Sequence, residues 1–104
     1  MTPILLHNAK VLIRNRKVAK LALRKHAAAR GPLAKWLDIA KAAEWRNIID
    51  ARAVWPTADA IKGTGLTCFN IAGNNFRLIT IVSYQRQEIA IVEVLTHAEY
   101  DKKY

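Results

Sequence analysis

The chain has 104 residues, of which 52% are apolar and 24% charged, so residues 1–104 are expected to form one globular domain with a modest core. Four glycines and three prolines exclude collagen-like and low-complexity classes. The single cysteine, Cys68, excludes a disulfide framework and fits a reducing cytosol, which predicts a cytoplasmic protein. No apolar run approaches the roughly 18 residues of a membrane span, so no membrane partner is expected.

The formal net charge of +9 is concentrated in one part of the chain. Residues 1–62 hold thirteen basic and four acidic side chains, whereas residues 63–104 hold four of each. Between Lys10 and Lys35 there are nine basic residues and no acidic one. A positive stretch of this kind attracts polyanions such as nucleic acid or an acidic protein. The alternative is a solvated helix face that only keeps the protein soluble.

Residues 10–29 have the pattern of a short strand followed by a helix. The apolar run at residues 10–13 predicts the strand, and residues 14–29 predict the helix. On a helical wheel one arc is apolar and is predicted to face the core: Val18, Leu21, Ala22 and Ala29. A separate arc about 100° wide is cationic. It carries Arg16, Lys17, Lys20 and Arg24.

Two more helices are predicted before residue 56. The Gly31-Pro32 pair should end the first helix, with the proline as the first residue of the second. The second helix should extend to about Glu44, because apolar residues recur at helical spacing: Leu33, Trp36, Leu37 and Ala40. Asn47 is predicted to cap a third, short helix, which must stop by Trp55 because a proline follows.

The remaining residues have the two-residue period of strands. Strands are predicted at residues 66–71, 76–84 and 88–95, and Gly73-Asn74-Asn75 is expected to form a hairpin turn because glycine and asparagine tolerate positive φ. Thr96 and Glu99 have capping-box spacing, which predicts a terminal turn of helix. A short strand, two to three helices and an antiparallel meander predict an α+β fold with the helices on one side of the sheet.

Arg77 is anomalous in this pattern. Alternation places Phe76 and Leu78 on one face of their strand, and Arg77 on the other face with Ile79 and Ile81. A guanidinium on an apolar face is unfavourable unless it has an anionic partner. Either Arg77 lies at the strand end and its side chain reaches water, or it binds phosphate, which its planar fork suits.

His97 and Tyr100 are expected to lie near Arg77. Because strands 76–84 and 88–95 pair as a hairpin, the start of the first lies beside the end of the second. Tyr100 is one helical turn beyond His97, so the two side chains can face the same space. A lone histidine is more often structural, but three such side chains at one sheet end make a functional site an equal alternative.

No metal site and no cofactor are predicted. His7 and His26 lack metal-ligand spacing with any other histidine or with the cysteine. Gly63-Thr64-Gly65 lacks the continuation of a phosphate loop and is interpreted as a turn. The three tryptophans have helical spacing and are interpreted as packing residues rather than platforms for RNA bases.

Two C-terminal motifs are specific enough to indicate a family. Phe69-Asn70-Ile71, Gly73-Asn74 and Phe76-Arg77-Leu78-Ile79 follow one another with short gaps. Residues 96–102 read Thr-His-Ala-Glu-Tyr-Asp-Lys. These segments resemble the FNI-x-GN-x-(F/Y)RL and TH-x-EYD-K motifs of HigB-family toxins, and the resemblance covers roughly residues 10–103. It implies the RelE/ParE-like fold, a pair of helices on an antiparallel sheet.

The resemblance also implies a function. HigB-family members are toxins of type II toxin–antitoxin systems, ribosome-dependent endoribonucleases that cleave translated mRNA by attack of a ribose 2′-OH on the adjacent phosphate. The implied partners are the ribosome, mRNA and a HigA-like helix-turn-helix antitoxin, with DNA contacted only through the antitoxin complex. Two alternatives remain: a toxin that poisons gyrase, and a non-catalytic basic module that binds nucleic acid or protein.

For the endoribonuclease, which we expect to need no metal, four residues are candidates for the chemistry. Arg77 would stabilise the charged phosphorane, and His97 would act as base or acid, since histidine titrates near pH 6.5. Tyr100 would orient the phosphate or stack on a base, and Lys102 would add positive charge.

Other residues are predicted to bind partners. The basic arc Arg16, Lys17, Lys20 and Arg24 is predicted to contact ribosomal RNA phosphates, and Asn70 and Asn75 are further candidates for RNA binding. The same charge predicts an acidic antitoxin over or beside helix 14–29, without necessarily covering the catalytic candidates. In the competing geometry the antitoxin plugs the sheet end and touches those candidates.

Overall fold

A computed structural model describes residues 11–104, which contain five strands and four α-helices. The predicted α+β class is confirmed. The strands are β1 (Leu12–Arg14), β2 (Asp59–Ile61), β3 (Leu66–Ile71), β4 (Phe76–Ser83) and β5 (Glu88–Thr96). The helices are α1 (Arg16–Lys25), α2 (Arg30–Lys41), α3 (Ile48–Val54) and α4 (His97–Lys103), with a 3₁₀ turn at Ala27–Ala29. No helix in this range is both long and apolar enough to cross a membrane.

The strands form one mixed sheet in the order β1-β5-β4-β3-β2. The C-terminal strands pair antiparallel, as predicted, whereas β1 pairs parallel with β5. Strand β2 was not predicted, because its three residues are too few to establish a period of two. The described part of the predicted strand at residues 10–13 lies in or next to β1, and Lys10 and His7 lie outside the described residues.

One face of the sheet carries the hydrophobic core. Helices α1 and α2 pack there, and the fully buried side chains include Leu33, Trp36, Phe69, Ile71, Leu78 and Ile91. Trp36 meets Phe69 edge-on with ring centroids 5.1 Å apart, and Trp45 stacks on Phe69 at 5.9 Å. The predicted packing face of the second helix and the packing role of these tryptophans are therefore confirmed.

Helix α1 is shorter than predicted and is rotated on the core. It ends at Lys25, and its buried residue is Ala19, which the helical wheel left out of the apolar arc. Leu21, predicted to be buried, is 58% exposed. Ala29 is buried through the 3₁₀ turn, which changes the direction of the chain, so projecting residues 14–29 onto one wheel displaced the apolar arc.

The boundary between the first two helices was also predicted wrongly. The break falls at His26, and Gly31 and Pro32 lie in the first turn of α2. Proline fits there because the first N–H groups of a helix have no partner within it. The helix ends at Lys41 rather than near Glu44. At this end the Lys41 carbonyl accepts a hydrogen bond from the Val11 N–H at 3.1 Å.

The predicted caps and turns are mostly confirmed. Asn47 caps α3 by accepting a hydrogen bond from the Asp50 N–H at 3.1 Å, and the helix ends one residue before Trp55. In the β3–β4 turn the positive φ angles belong to Ala72 (56°) and Gly73 (67°) rather than to the asparagines. The asparagine side chains are therefore not needed for backbone geometry, and Asn74 has another role.

Candidate active site

The face of the sheet opposite the core contains an open cleft of about 420 Å³. Its floor comes from Cys68 and Asn70 of β3 and Arg77 of β4, which share this face by strand register. One wall is formed by residues 56–59 with Arg52 of α3, and the other by Tyr100 of α4. The cleft therefore joins residues of five elements, which are α3, β2, β3, β4 and α4.

Arg77 is buried in this cleft, with only 7% of its surface exposed. Its Nη1 donates to the carbonyl oxygens of Asn74 at 3.0 Å and Phe76 at 3.2 Å, and its Nη2 donates to Asn74 Oδ1 at 2.8 Å. These acceptors are all neutral, and no carboxylate in residues 11–104 lies within ion-pair distance of the guanidinium. The alternative that the Arg77 side chain reaches into water is therefore wrong. Hydrogen bonds hold its positive charge in place, and no carboxylate of residues 11–104 pairs with that charge.

Tyr100 lies against this charge. The guanidinium carbon of Arg77 is 5.6 Å from the centroid of the tyrosine ring. Burial raises the pKa of Tyr100, the neighbouring Cys68 and Asp59 raise it further, and Arg77 acts in the opposite direction. At neutral pH the phenol is therefore a neutral hydrogen-bond donor next to a fixed cation.

A complete capping box positions Tyr100. Thr96 Oγ1 accepts from the Glu99 N–H at 3.1 Å, and Glu99 Oε1 accepts from the Thr96 N–H at 2.8 Å, as the sequence predicted. These bonds fix the start of α4 directly after β5, and therefore the direction in which the helix carries its tyrosine.

Cys68 forms an unreactive part of the floor. Burial raises the pKa of its thiol to about 11, which the nearby Arg77 and Tyr100 offset only in part. The thiolate is the nucleophilic form of cysteine, and it is scarce at neutral pH when the pKa is this high.

The sequence analysis named six residues of the C-terminal part for the chemistry or for RNA binding. The structure brings three of them together in the cleft: Arg77, Tyr100 and Asn70. The backbone at Asn70 is held on both sides, because its N–H donates to Thr57 Oγ1 at 3.2 Å and its carbonyl accepts from Trp55 Nε1 at 2.9 Å. Asn70 is therefore a rigid part of the floor.

The other three candidates lie outside the cleft lining. The Nε2 atom of His97 is 3.3 Å from Asp101 Oδ2, and its side chain is about half exposed. Asn75 is exposed in the β3–β4 turn, where its carbonyl accepts from the His97 N–H at 3.0 Å, and Lys102 is exposed on α4. Hairpin pairing placed His97 at the correct end of the sheet, but it did not determine where the imidazole points.

Sequence reasoning missed Arg52 and Asp59, which form a wall of the cleft. Arg52 Nε donates to the Ala58 carbonyl at 2.8 Å, and its Nη2 donates to Asp59 Oδ1 at 3.2 Å. In the sequence Arg52 has the position of an ordinary cation in the last turn of a helix. No local signal distinguished it, because the cleft is created by tertiary packing.

The predicted basic arc forms a separate surface on α1. We call it the α1 patch; its four side chains, Arg16, Lys17, Lys20 and Arg24, are all exposed. None of the four forms an ion pair with a carboxylate in residues 11–104. Because α1 packs on the core face, the α1 patch and the cleft lie on opposite sides of the sheet. Within the same residues no group of three His, Cys, Asp or Glu side chains could hold a metal ion.

A family comparison agrees with this architecture. The family model HigB_toxin, described as the RelE-like toxic component of a toxin-antitoxin system, matches residues 29–103. The chain belongs to the HigB toxin family. The match covers the cleft-forming elements, and it confirms the family that the C-terminal motifs indicated.

Named members of the HigB family are similar to part of the chain. They include the mRNA interferase toxin HigB of Escherichia coli (strain K12) and the mRNA interferase HigB of Escherichia coli O157:H7 and of Shigella flexneri. Each is 39% identical over 51 residues, which are 48% of this chain and 49% of the relative. The alignment therefore spans about half the length of these curated relatives.

Proposed function

We propose that this HigB-family protein is an mRNA interferase, a ribosome-dependent endoribonuclease that cleaves translated mRNA and inhibits translation. The observation that carries the proposal is the buried guanidinium of Arg77, which neutral acceptors hold in the lining of the cleft beside a neutral phenol. A cation without a carboxylate partner is suited to an anionic ligand, and the names of the HigB relatives indicate that this ligand is RNA.

The proposed reaction needs no metal and no cofactor. The ribose 2′-oxygen attacks the adjacent phosphorus and loses its proton, and the bond from phosphorus to the 5′-oxygen breaks as that oxygen gains a proton. The products are a 2′,3′-cyclic phosphate and a 5′-hydroxyl. Arg77 stabilises the negative charge of the phosphorane, which a fixed charge does best where water is excluded.

Helix α4 supplies the proton-transfer candidates. Tyr100, neutral at the pH of the cell, donates a hydrogen bond to the phosphate or a proton to the leaving 5′-oxygen. His97 is proposed as the second proton-transfer residue and Lys102 as an additional cation. Both lie on α4 outside the cleft lining, so the proposal requires RNA to extend along this helix. Asn70 would contact RNA on the floor, and Asn75 at the adjacent turn.

The partners follow from the α1 patch. We propose that it docks on ribosomal RNA phosphates in the cytoplasm, since contacts to phosphate give affinity with little sequence choice. The second partner is a HigA-like helix-turn-helix antitoxin of net negative charge, bound over or beside α1, and the protein would reach DNA only through that complex. An acidic surface would be steered toward the patch by the same field.

Mapping the ends of cleaved mRNA tests the proposed activity. Purified protein added to ribosomes that are translating a defined mRNA should produce fragments with 2′,3′-cyclic phosphate and 5′-hydroxyl ends, because a 2′-hydroxyl is the nucleophile. A 2′-O-methyl group at the cleaved nucleotide should abolish those fragments, and Tyr100→Phe should reduce them. The chemistry of the fragment ends is the decisive readout. Removal of metal ions by a chelator cannot serve as the test, because ribosomes themselves need magnesium.

Three results would contradict the proposal. Intact mRNA on translating ribosomes would favour a non-catalytic binding module, and a block of DNA replication before translation would favour a gyrase poison. Fragments ending in a 5′-phosphate would show a different chemistry, in which water or hydroxide is the nucleophile.

A further inference from the structure

Arg52 and Asp59 form an ion pair on the wall of the cleft, and the proposed mechanism uses neither of them. Arg52 Nη2 donates to Asp59 Oδ1 at 3.2 Å, and the two side chains are 46% and 67% exposed. Ion pairs this exposed contribute little to stability, because water solvates both charges and screens their attraction. The guanidinium can therefore exchange this carboxylate for another anion at small cost.

The guanidinium of Arg52 nevertheless has a fixed position. Its Nε donates to the Ala58 carbonyl at 2.8 Å, so the side chain is held at the cleft by a neutral acceptor, as Arg77 is. Its Nη groups stay available to a ligand once the carboxylate moves away. Arginine held in this way can bind phosphate through two parallel hydrogen bonds.

Asp59 faces the same space. It pairs in register with Cys68, so it lies on the cleft face of the sheet, and β2 is the edge strand. The negative charge of Asp59 is one of the causes that raise the pKa of Tyr100. Asp59 therefore acts electrostatically on the residue that contacts Arg77. The carboxylate therefore occupies a position beside Arg52 in the cleft that Arg77 also lines, where Arg52 would attract the phosphate of an RNA strand.

We propose that Arg52 is a second phosphate-binding site of the cleft, for a phosphodiester next to the one held by Arg77, and that Asp59 occupies this site until RNA displaces it. The inference rests on the proposed function, because it assumes that RNA enters the cleft. It makes Asp59 an intramolecular competitor that weakens RNA binding, and Arg52 a binding residue without a part in bond cleavage.

A purely structural role is the alternative. Arg52 also connects the end of α3 to the start of β2, and its loss could loosen residues 56–59. Asp59→Asn separates the two roles, because it weakens the connection but removes the competing charge. A structural role predicts weaker or unchanged RNA binding, whereas the proposed competitor predicts tighter binding.

The test measures the binding of a short 2′-O-methyl oligoribonucleotide, which cannot be cleaved, by fluorescence anisotropy over a range of salt concentrations. Asp59→Asn should tighten binding by about threefold to tenfold, as expected for one unit charge near a phosphate. Arg52→Ala should weaken binding and lower the salt slope by about one. In the Arg52→Ala background, Asp59→Asn should have a smaller effect than it has alone, since the two residues act at one site.

Matched controls carry the same charge changes away from the cleft. Asp38→Asn removes an exposed carboxylate of α2 that pairs with Lys41, and Arg46→Ala removes an exposed arginine that pairs with Asp50. Both should leave RNA affinity within about twofold, since neither residue lines the cleft and salt screens exposed charges. Unchanged or weaker binding of Asp59→Asn overturns the inference, and so does an Arg52→Ala effect no larger than that of Arg46→Ala.

Arg77→Gln distinguishes this inference from the function on which it rests. If Arg77→Gln weakens RNA binding and the substitutions at Arg52 and Asp59 leave it unchanged, only the inference is wrong. If none of the three substitutions changes binding, the inference is overturned, and the proposed function fails with it only if Arg77→Gln also cleaves mRNA on translating ribosomes at the normal rate.

Discussion

The two positively charged regions of this protein are built in opposite ways. The α1 patch consists of four exposed cations on one helix, with no carboxylate partner in residues 11–104. The cleft has few cations, of which Arg77 is buried and held by three hydrogen bonds to neutral oxygens. One region therefore provides a diffuse field, and the other a charge at a fixed point.

This difference assigns different physical tasks to the two regions. Exposed lysine and arginine side chains attract a polyanion from a distance and tolerate many geometries, but salt screens them strongly. A buried, preorganised guanidinium acts only over short range, and it needs no reorganisation when charge develops beside it. Because the regions lie on opposite faces of the sheet, affinity for the ribosome and the rate of cleavage should be separable by mutation.

The largest effect is expected at the fixed charge. Arg77→Gln removes the cation and keeps a side-chain donor, and it should reduce the cleavage rate on saturating ribosomes by about 10²–10³-fold, as loss of a preorganised donor does in other active sites. Ribosome affinity should change by less than about threefold, because the α1 patch is intact. Single-turnover cleavage and a separate binding assay measure the two quantities.

Arg86→Gln is the matched control, because it makes the same charge change at an exposed position in the β4–β5 turn. It should cleave at the normal rate. Normal cleavage by a folded Arg77→Gln protein would show that the cleft is not the active site, and a thermal melt establishes whether that variant is folded.

The opposite pattern is expected for the α1 patch. The double change Lys17→Glu and Lys20→Glu should weaken ribosome binding by about 10-fold to 100-fold at low salt and lower the salt slope by about two, because two phosphates are no longer neutralised. Cleavage at saturating ribosome concentration should stay within about twofold. Lys62→Glu with Arg86→Glu changes the net charge equally at exposed turn positions outside the patch, and should have little effect.

The same variant addresses the antitoxin geometry. If an acidic antitoxin lies over α1, the two charge reversals should weaken its binding as well as that of the ribosome. Hydrogen exchange on the complex gives an independent readout, with protection expected in α1 (Arg16–Lys25). Protection confined to residues 66–100 would contradict this geometry and place the antitoxin on the cleft.

Local signals explain what the sequence predicted correctly. The caps at Asn47 and Thr96 were predicted because a short polar side chain three residues before its donor satisfies a free N–H within one turn. The face of the strand on which Arg77 lies was predicted because the side-chain period of a strand is two. That alternation placed Arg77 on the face of the cleft, and the motifs of β3, β4 and α4 indicated the family.

Features that depend on tertiary packing could not be predicted in this way. The rotation of α1 depends on how closely Ala19 approaches the sheet, and a helical wheel does not contain that information. Arg52 and Asp59 reach the cleft only because α3 and β2 are brought to one edge of the sheet. Similarly, the pairing of His97 with Asp101 depends on side-chain direction at the start of α4, which connectivity leaves open.

The smallest expected effect concerns the connection between fold and cleft. Thr96→Ala removes the hydroxyl that caps α4 and should cost about 1 kcal/mol of stability, or roughly 4–8 °C in Tm for a domain of this size. Because α4 carries Tyr100, the cleavage rate should fall too, by less than in Arg77→Gln. A loss of stability without any change in cleavage would show that the start of α4 does not position the tyrosine.

Acid should act on the same cap. The hydrogen bond from the Thr96 N–H is the main cause that holds the pKa of Glu99 below its ordinary range, and the positive charge of Lys25 adds to it. A carboxyl whose pKa is lower in the folded state stabilises the fold above its unfolded pKa and loses that contribution as the pH falls through the folded value. Glu99→Gln should therefore lower Tm at pH 7, and the difference from the unaltered protein should shrink as the pH falls below the ordinary glutamate pKa of about 4.3 and vanish once the pH is below the lower pKa of the folded protein. Glu44→Gln, at an exposed position after α2, is the control, and its difference in Tm from the unaltered protein should not change with pH in this way. A difference in Tm for Glu99→Gln that does not depend on pH would mean that packing rather than the charged hydrogen bond holds the cap.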